Sequence, residues 1–486
     1  MEYYQLGGFQ PAIFARPPLA EKVYQPLQRL QNSNGADIEL ILGIKRSGTS
    51  HLLLTADETH RLFQERNLDL RWSKSPPTPA REFESLSPIV FHDVSELSAK
   101  LAELQPKNER DRNDTSRLNK GYAGGNQGAM RAQFENSRVF YRLLRNELGK
   151  AERFSCEQRP WPGSIRVVSF CYNLWLLDSR PLDDRRRFPR ILDLAWCEAQ
   201  NEFGDGGEKR PLEGNMKTSE HIVFANNQRL TNPGRPRWND RKTPPASERQ
   251  RYEYDDKGAT QICDPQAAAE KVCAYFGTVT QPAPGPLVLL VHDKTNALAV
   301  LTSLGVDVSR WDSELKNLIR VQQTADPRRN SRDPRRAYHD SRESGRDARR
   351  SYDDSRRRSA SPGRYDRSRR RESPPPPPRQ FAPVYIVDVQ SMFRTMLGTH
   401  DDSESVPAII ERLRLRDVPP EGFCAGNECW MLVEAFQRMA MGSSIDDQKA
   451  DWPHIPFVAP PTTDGNVDNS AVEEEEQSDY GGSDSE

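Results

Sequence analysis

The sequence predicts an α/β fold, a three-layer arrangement around a mixed sheet, with a small N-terminal α+β region and long disordered segments. Three observations predict it. From Ile165 onward, short apolar runs of strand length alternate with stretches of helical period. A tract almost free of aliphatic residues interrupts that alternation between Asp326 and Pro378. Only 35% of the 486 residues are hydrophobic and 38 are proline, against about 45–50% apolar in an ordinary globular chain. That composition supplies one well-packed domain, one smaller unit and much unfolded chain.

The first unit covers residues 1–104. ADIELILGIKRSGTSHLLLTA sets two apolar runs around Arg-Ser-Gly-Thr, the pattern of a β-hairpin with a glycine turn. Residues 73–88, rich in Pro and Ser, read as a loop, and 90–104 as one short helix. Residues 105–162 read as a polar, glycine-rich linker and then a helix over 135–154. Val139, Leu143, Leu144 and Leu148 recur there near the 3.6-residue spacing.

The second unit covers 163–323 and 381–443. IRVVSFCYNLWLLD is a nearly unbroken apolar run, suited to a strand buried on both faces. RILDLAWCEA (190–199) and TSEHIVFANNQRL (218–230) read as the next two strands, and 231–258 as a long loop. DPQAAAEKVCAYFGTV opens with an Asp N-cap and a proline at the first helical position. GPLVLLVHD is a strand, and NALAVLTSLGVDV a helix closed by Gly305. APVYIVDVQSMFRTML (382–397) is a strand running into a helix, 406–418 a further helix, and the segment after Gly426 the last. Three consecutive strands predict an antiparallel meander, and strands alternating with helices a parallel extension of it.

Charge is unevenly placed. Asp326 to Glu372 holds seventeen arginines against nine acidic residues, and Asp464 to Glu486 holds nine acidic residues and no basic one. No run approaches the ~20 apolar residues of a membrane span, and MEYYQLGGFQPAIF lacks the pattern of a secretory leader. Seven cysteines without regular spacing predict reduced thiols in a nuclear or cytoplasmic, not secreted, protein. Cys424 and Cys429 are too isolated to read as a zinc pair.

HIVFANNQRLTNP, LVLLVHDKTNALAVLTSLGVD, VYIVDVQSMF and FCAGNECWMLVEAF, in this order and spacing, resemble the ribonuclease H-like fold of the DEDD-type 3′–5′ exonucleases. More closely, they resemble the fungal "good for full DEAD-box helicase activity" family and the related exonuclease partner of the quelling Argonaute. The resemblance implies a site where an Asp-x-Glu on the first strand, an Asp after the fourth and an Asp by the last helix hold two divalent cations, and a His beside the last helix deprotonates the attacking water. Such ions want carboxylate oxygens.

The positions matching that site have changed. Cys171 and Asn173 stand at the first-strand pair when Trp175 sets the register, with Ser169 and Cys171 the alternative. Asn296 or Ala297 stands at the fourth-strand position, Phe423 at the histidine, and Glu428 at the last Asp. Asp388 is retained, but the resemblance does not make it a metal ligand. His292 reads as a hydrogen-bonded strand-end residue, Asp293 as an N-cap and Glu428 alone as a solvated helix-start carboxylate. Asp193 and Glu198 differ in strand parity and point to opposite faces. No catalytic set is intact, so no metal or cofactor is expected, with Mg or Mn only for an exonuclease.

The arginine-rich tract (324–380, with five prolines at 374–378) and the acidic tail (444–486) predict disorder. Arg349, Arg350, Arg356, Arg357, Arg358, Arg369, Arg370 and Arg371 form runs able to pair with phosphates and stack on bases. The partners implied are RNA or single-stranded nucleic acid, and RNA-processing proteins through the Arg/Ser steps. Three functions follow: a non-catalytic RNA-associated module, a divergent metal-dependent exonuclease, and a protein-interaction scaffold. The first is favoured.

Overall fold

The computed structural model describes residues 1–6, 18–31, 37–66, 77–104, 127–157, 165–200, 213–214, 219–230, 232, 260–277, 285–320, 382–398, 404–415 and 424–452. The expected disordered tract with its arginines, Phe423 and residues 453–486 of the acidic tail lie outside the described residues. The start of that tail, expected to be disordered from 444, is ordered: Ser444 caps a helix over Ile445–Asp451, and Ile445 is fully buried.

The first sheet comprises β1 (Glu2–Leu6), β2 (Ile38–Lys45), β3 (Ser50–Thr55), β4 (Thr78–Pro79) and β5 (Phe83–Phe91). Their order is β4-β1-β3-β2-β5, antiparallel throughout. The β2–β3 hairpin forms where the sequence places it, and Gly48 provides the left-handed turn at φ 86°. β5 corrects the loop expected up to residue 88. Its Pro88 cannot donate to a ladder, but β5 is an edge strand with only β2 beside it, where proline is tolerated. Helices α1 (Pro18–Leu30), α2 (Ala56–Arg66) and α3 (Val94–Glu103) cover one face through Val23, Leu27, Leu62, Leu97 and Leu101.

Helix α4 (Gln127–Leu144) covers the other face. It begins eight residues before the expected start and stops at Leu144, because Asn146 turns left-handed at φ 50°. Residues 151–154 make a 3-10 turn instead of continuing it. Phe134, Val139, Phe140 and Leu144 of α4 share one apolar core with Ile41, Leu53, Phe83 and Leu86 of the first sheet and with a face of the second. The first turn of α4 lies hard against the hairpin. A Cβ on Gly128 would meet Gly48 Cα and N at 2.5 Å. Backbone cannot yield as a side chain does, so Gly128→Ala is expected to cost about 1–3 kcal/mol in chemical denaturation.

The second sheet comprises β6 (Arg166–Leu174), β7 (Ile191–Gln200), β8 (Glu213–Gly214), β9 (Glu220–Phe224), β10 (Thr260–Cys263), β11 (Leu287–Val291) and β12 (Val384–Asp388). The order is β10-β9-β7-β6-β11-β12, with β8 on β7. β7 runs antiparallel to β6 and β9, while β6, β11 and β12 are mutually parallel, so meander and parallel extension both appear. Counted without β8 and β10, the five strands stand in the order 3-2-1-4-5.

One face packs Phe170, Leu194, Trp196, Leu289 and Val291 under α6 (Pro265–Gly277) and α7 (Lys294–Ser303); a short α5 (Leu182–Arg187) precedes β7. Asp264 caps α6 by accepting from Ala267 N at 2.9 Å, with Pro265 following, as the sequence predicts. The other face packs Val167, Cys171, Ala195, Cys197, Val288 and Leu290. It lies under α4 together with α9 (Val389–Leu397), α10 (Val406–Arg412) and α11 (Ala425–Met441). Helix α8 (Lys316–Ile319) precedes β12, and α12 (Ile445–Asp451) closes the described chain. The result is a mixed α/β architecture of two sheets with a shared helical layer between them. No described helix is long and apolar enough to cross a membrane.

Candidate functional site

Helix α11 enters the fold at the level of β6 and β7 and packs across both. A helix start leaves backbone N–H groups without partners. A Ser, Thr, Asp or Asn would normally supply the cap, but the cap position is Cys424, which makes no side-chain capping bond. The acceptor comes from another strand: Ala425 N–H donates to Asp193 Oδ2 at 3.2 Å. Asp193 is 1% exposed and sits on β7 on the face that α11 covers.

His221 on β9 meets the same carboxylate, with Nε2 3.0 Å from Asp193 Oδ2. Its Nδ1 is 3.1 Å from Thr260 Oγ1 on β10, which fixes the ring plane. Cys424 Sγ lies 4.0 Å from the same Nε2. Burial pulls the imidazole down, but the Cys424 and Asp193 acceptors outweigh it and hold His221 well above its ordinary value. Among the described residues, Asp193, His221 and Cys424 are the group of acid, histidine and cysteine side chains whose ligand atoms all lie within 4.8 Å of one another. All three are buried.

The positions singled out in the sequence meet this cluster in part. Asn173, at the end of β6, pairs with Asp193 in the β6–β7 register and donates from Nδ2 to Glu428 Oε2 at 3.1 Å. Glu428 is therefore not a solvated helix-start group. It is 6% exposed, because the first turn of α11 lies against the sheet rather than toward water. Cys171 is buried beside Cys429, whose thiol points to the carbonyls of Ala195 at 3.3 Å and Ser169 at 3.7 Å. Burial first, then the neighbouring Cys429 thiol, pushes Cys171 well above its ordinary value, which makes it a poor nucleophile.

Asn296 is not joined to this group. Its Nδ2 donates to Asp293 Oδ2 at 2.9 Å, and Asp293 caps α7 by accepting from Asn296 N. His292 Nε2 is 2.7 Å from the Glu404 carbonyl, the expected strand-end hydrogen bond. Asp388 caps α9 from Ser391 N at 2.7 Å and also accepts from Lys294 N at 3.1 Å. Burial raises its carboxyl above the usual range. Parity holds: Asp193 faces α11, whereas Glu198 turns away to Arg166, with Oε1 2.8 Å from Nε.

Sequence reasoning missed the convergence of His221 and Cys424 on Asp193. The available signal was an aspartate at an inward-facing position of a strand otherwise filled by Ile191, Leu192, Leu194 and Ala195. A buried carboxylate requires partners. The residues at the matched positions do not fit a pair of hard cations. Cys171, Asn173 and Asn296 bring no charge, and one Glu428 oxygen is engaged by an amide donor. Comparison with models of known families and with curated proteins finds no match.

Proposed function

We propose that the second sheet with its helices is a ribonuclease H-like domain of the 3′–5′ exonuclease type, stripped of its two-cation chemistry. The chain then acts as a non-catalytic module that associates with single-stranded RNA. The observation that carries this reading is the Asn173–Glu428 hydrogen bond. In an exonuclease of this type, the first-strand acids and the last-helix acid face one another across metal ions. Here the two positions are neighbours, but an amide and a carboxylate satisfy each other directly, and an amide cannot offset cation charge. The 3-2-1-4-5 strand order with an antiparallel second strand supports the fold. RNA association rests on the arginine runs 349–350, 356–358 and 369–371, where phosphate pairing would dominate affinity.

The test uses the full chain with end-labelled single-stranded RNA and Mn²⁺. The expected result is retention that weakens steeply with salt and is lost on deleting 326–372, without shortening of the RNA. Shortening that survives purification and disappears in Glu428→Ala would overturn the loss of chemistry. Absence of retention at low salt would overturn the RNA association.

A further inference from the structure

We propose that Asp193, His221 and Cys424 form a site for one borderline divalent cation of the zinc type, separate from the positions matched to the exonuclease site. The donor set is one thiolate, one imidazole and one carboxylate, each from a different part of the chain: β7, β9 and the residue before α11. Such a mixed sulfur and nitrogen set selects zinc-like ions over magnesium or calcium.

Distances agree with the assignment. Zinc bonds of about 2.0–2.3 Å at tetrahedral angles separate neighbouring ligand atoms by roughly 3.3–3.6 Å. The observed separations, 3.0 Å from Asp193 Oδ2 to His221 Nε2 and 4.0 Å from that nitrogen to Cys424 Sγ, bracket this range. Shifts of about half an ångström convert the pair into a chelate, and the chain carries the device that orients a ligating histidine. The His221 nitrogen turned away from the cluster, Nδ1, is held by Thr260 Oγ1, leaving Nε2 to face Asp193 and Cys424.

An independent observation points to a missing partner. Asp193 Oδ1 is buried and has no hydrogen-bond partner among the described residues, although its sister oxygen serves both His221 and Ala425. A carboxylate oxygen cut off from water without a donor is costly. A cation beside the carboxylate removes that cost. The bound ion would staple β7 and β9 to the start of α11, doing by coordination what a capping side chain at position 424 would otherwise do.

The experiment treats the full chain with chelator, removes the chelator, and adds Co²⁺ chloride alone. The expected result is a near-ultraviolet thiolate-to-cobalt charge-transfer band and visible d–d bands of tetrahedral intensity, saturating at one ion per chain. Zn²⁺ should then abolish both and raise the thermal midpoint. Cys424→Ser should remove the charge-transfer band, while Cys273→Ser, on a thiol elsewhere, should keep it. Should Cys424→Ser fail to fold, Cys424→His tests the same point, retaining one cobalt per chain with the thiolate band gone. A folded, metal-free chain that takes up no cobalt would overturn the proposal, leaving the cluster a protonated His–Asp pair. Binding without a thiolate band in the unaltered chain would overturn it too. None of these readouts depends on RNA, so the outcome is separable from that of the nuclease-derived reading.

Discussion

Replacing Arg131 by methionine is expected to lower the stability of the folded chain by about 3–5 kcal/mol, the cost of stranding a buried charge. Arg131 on α4 is fully buried and Asp446 on α12 is 5% exposed. One guanidinium nitrogen donates to both Asp446 oxygens at 2.8 Å and to Ser50 Oγ at 2.6 Å. The other terminal nitrogen donates to the Gly48 carbonyl at 2.8 Å. One side chain therefore ties the β2–β3 turn, α4 and the last described helix. Its removal takes the guanidinium partner from the buried Asp446 carboxylate, leaving it the nearby charges of Lys100 and Lys449, and leaves the Gly48 carbonyl without this donor. Urea denaturation should show a lower midpoint at unchanged slope. The double variant Arg131→Met with Asp446→Leu should recover most of the loss, since a buried ion pair and an apolar pair of similar volume often differ little. A single-variant cost under about 1 kcal/mol would show that the pair is not buried in solution as it is in the structure.

Trp196→Ala should cost a comparable 3–5 kcal/mol. Trp196 is 1% exposed and faces the layer opposite Asp193. Its ring stacks on Tyr275 with centroids 5.1 Å apart and meets Phe276 edge-on at 6.1 Å. Truncation removes dispersion contacts on both sides and leaves a cavity that β7, clamped between β6 and β9, cannot collapse to fill. Trp196→Phe keeps a ring in the same place and should lose less than half as much. Equal losses in the two variants would mean that ring contact is not what holds the α6 layer.

The sequence is most informative where burial alone dictates the residue. LVLLV was legible as β11 because all five positions are buried, so both faces of the strand had to be apolar. The Asp264-Pro265 start of α6 was legible because capping chemistry is local. β5 was not, because Ser85, Ser87 and Pro88 imitate a loop; the sheet edge accommodates the proline, while both serines are fully buried. The full extent of α4 was hidden for a related reason. The part before the expected start carries the buried Arg131, which breaks the apolar stripe and whose partner Asp446 lies on a distant segment.

The site divides the same way. Asn173 and Glu428 could be picked out by position, yet their mutual contact and the burial of Glu428 follow from the docking of α11 on the sheet. The Asp193–His221–Cys424 group was illegible because its members are up to 231 residues apart in sequence. No local pattern marks such a group.

Helix α4, with both sheets resting on one apolar core around it, sets a limit on how the molecule can be divided. A fragment starting at Ile165 would keep α9, α10 and α11 but lose the α4 part of that face's cover, and a fragment ending at Leu104 would present Ile41, Leu53 and Phe83 to water. Neither half should behave as a transplantable unit. Proteolytic nicking between 104 and 127 should leave two pieces that co-elute and melt together, because the seam between them is interior rather than surface.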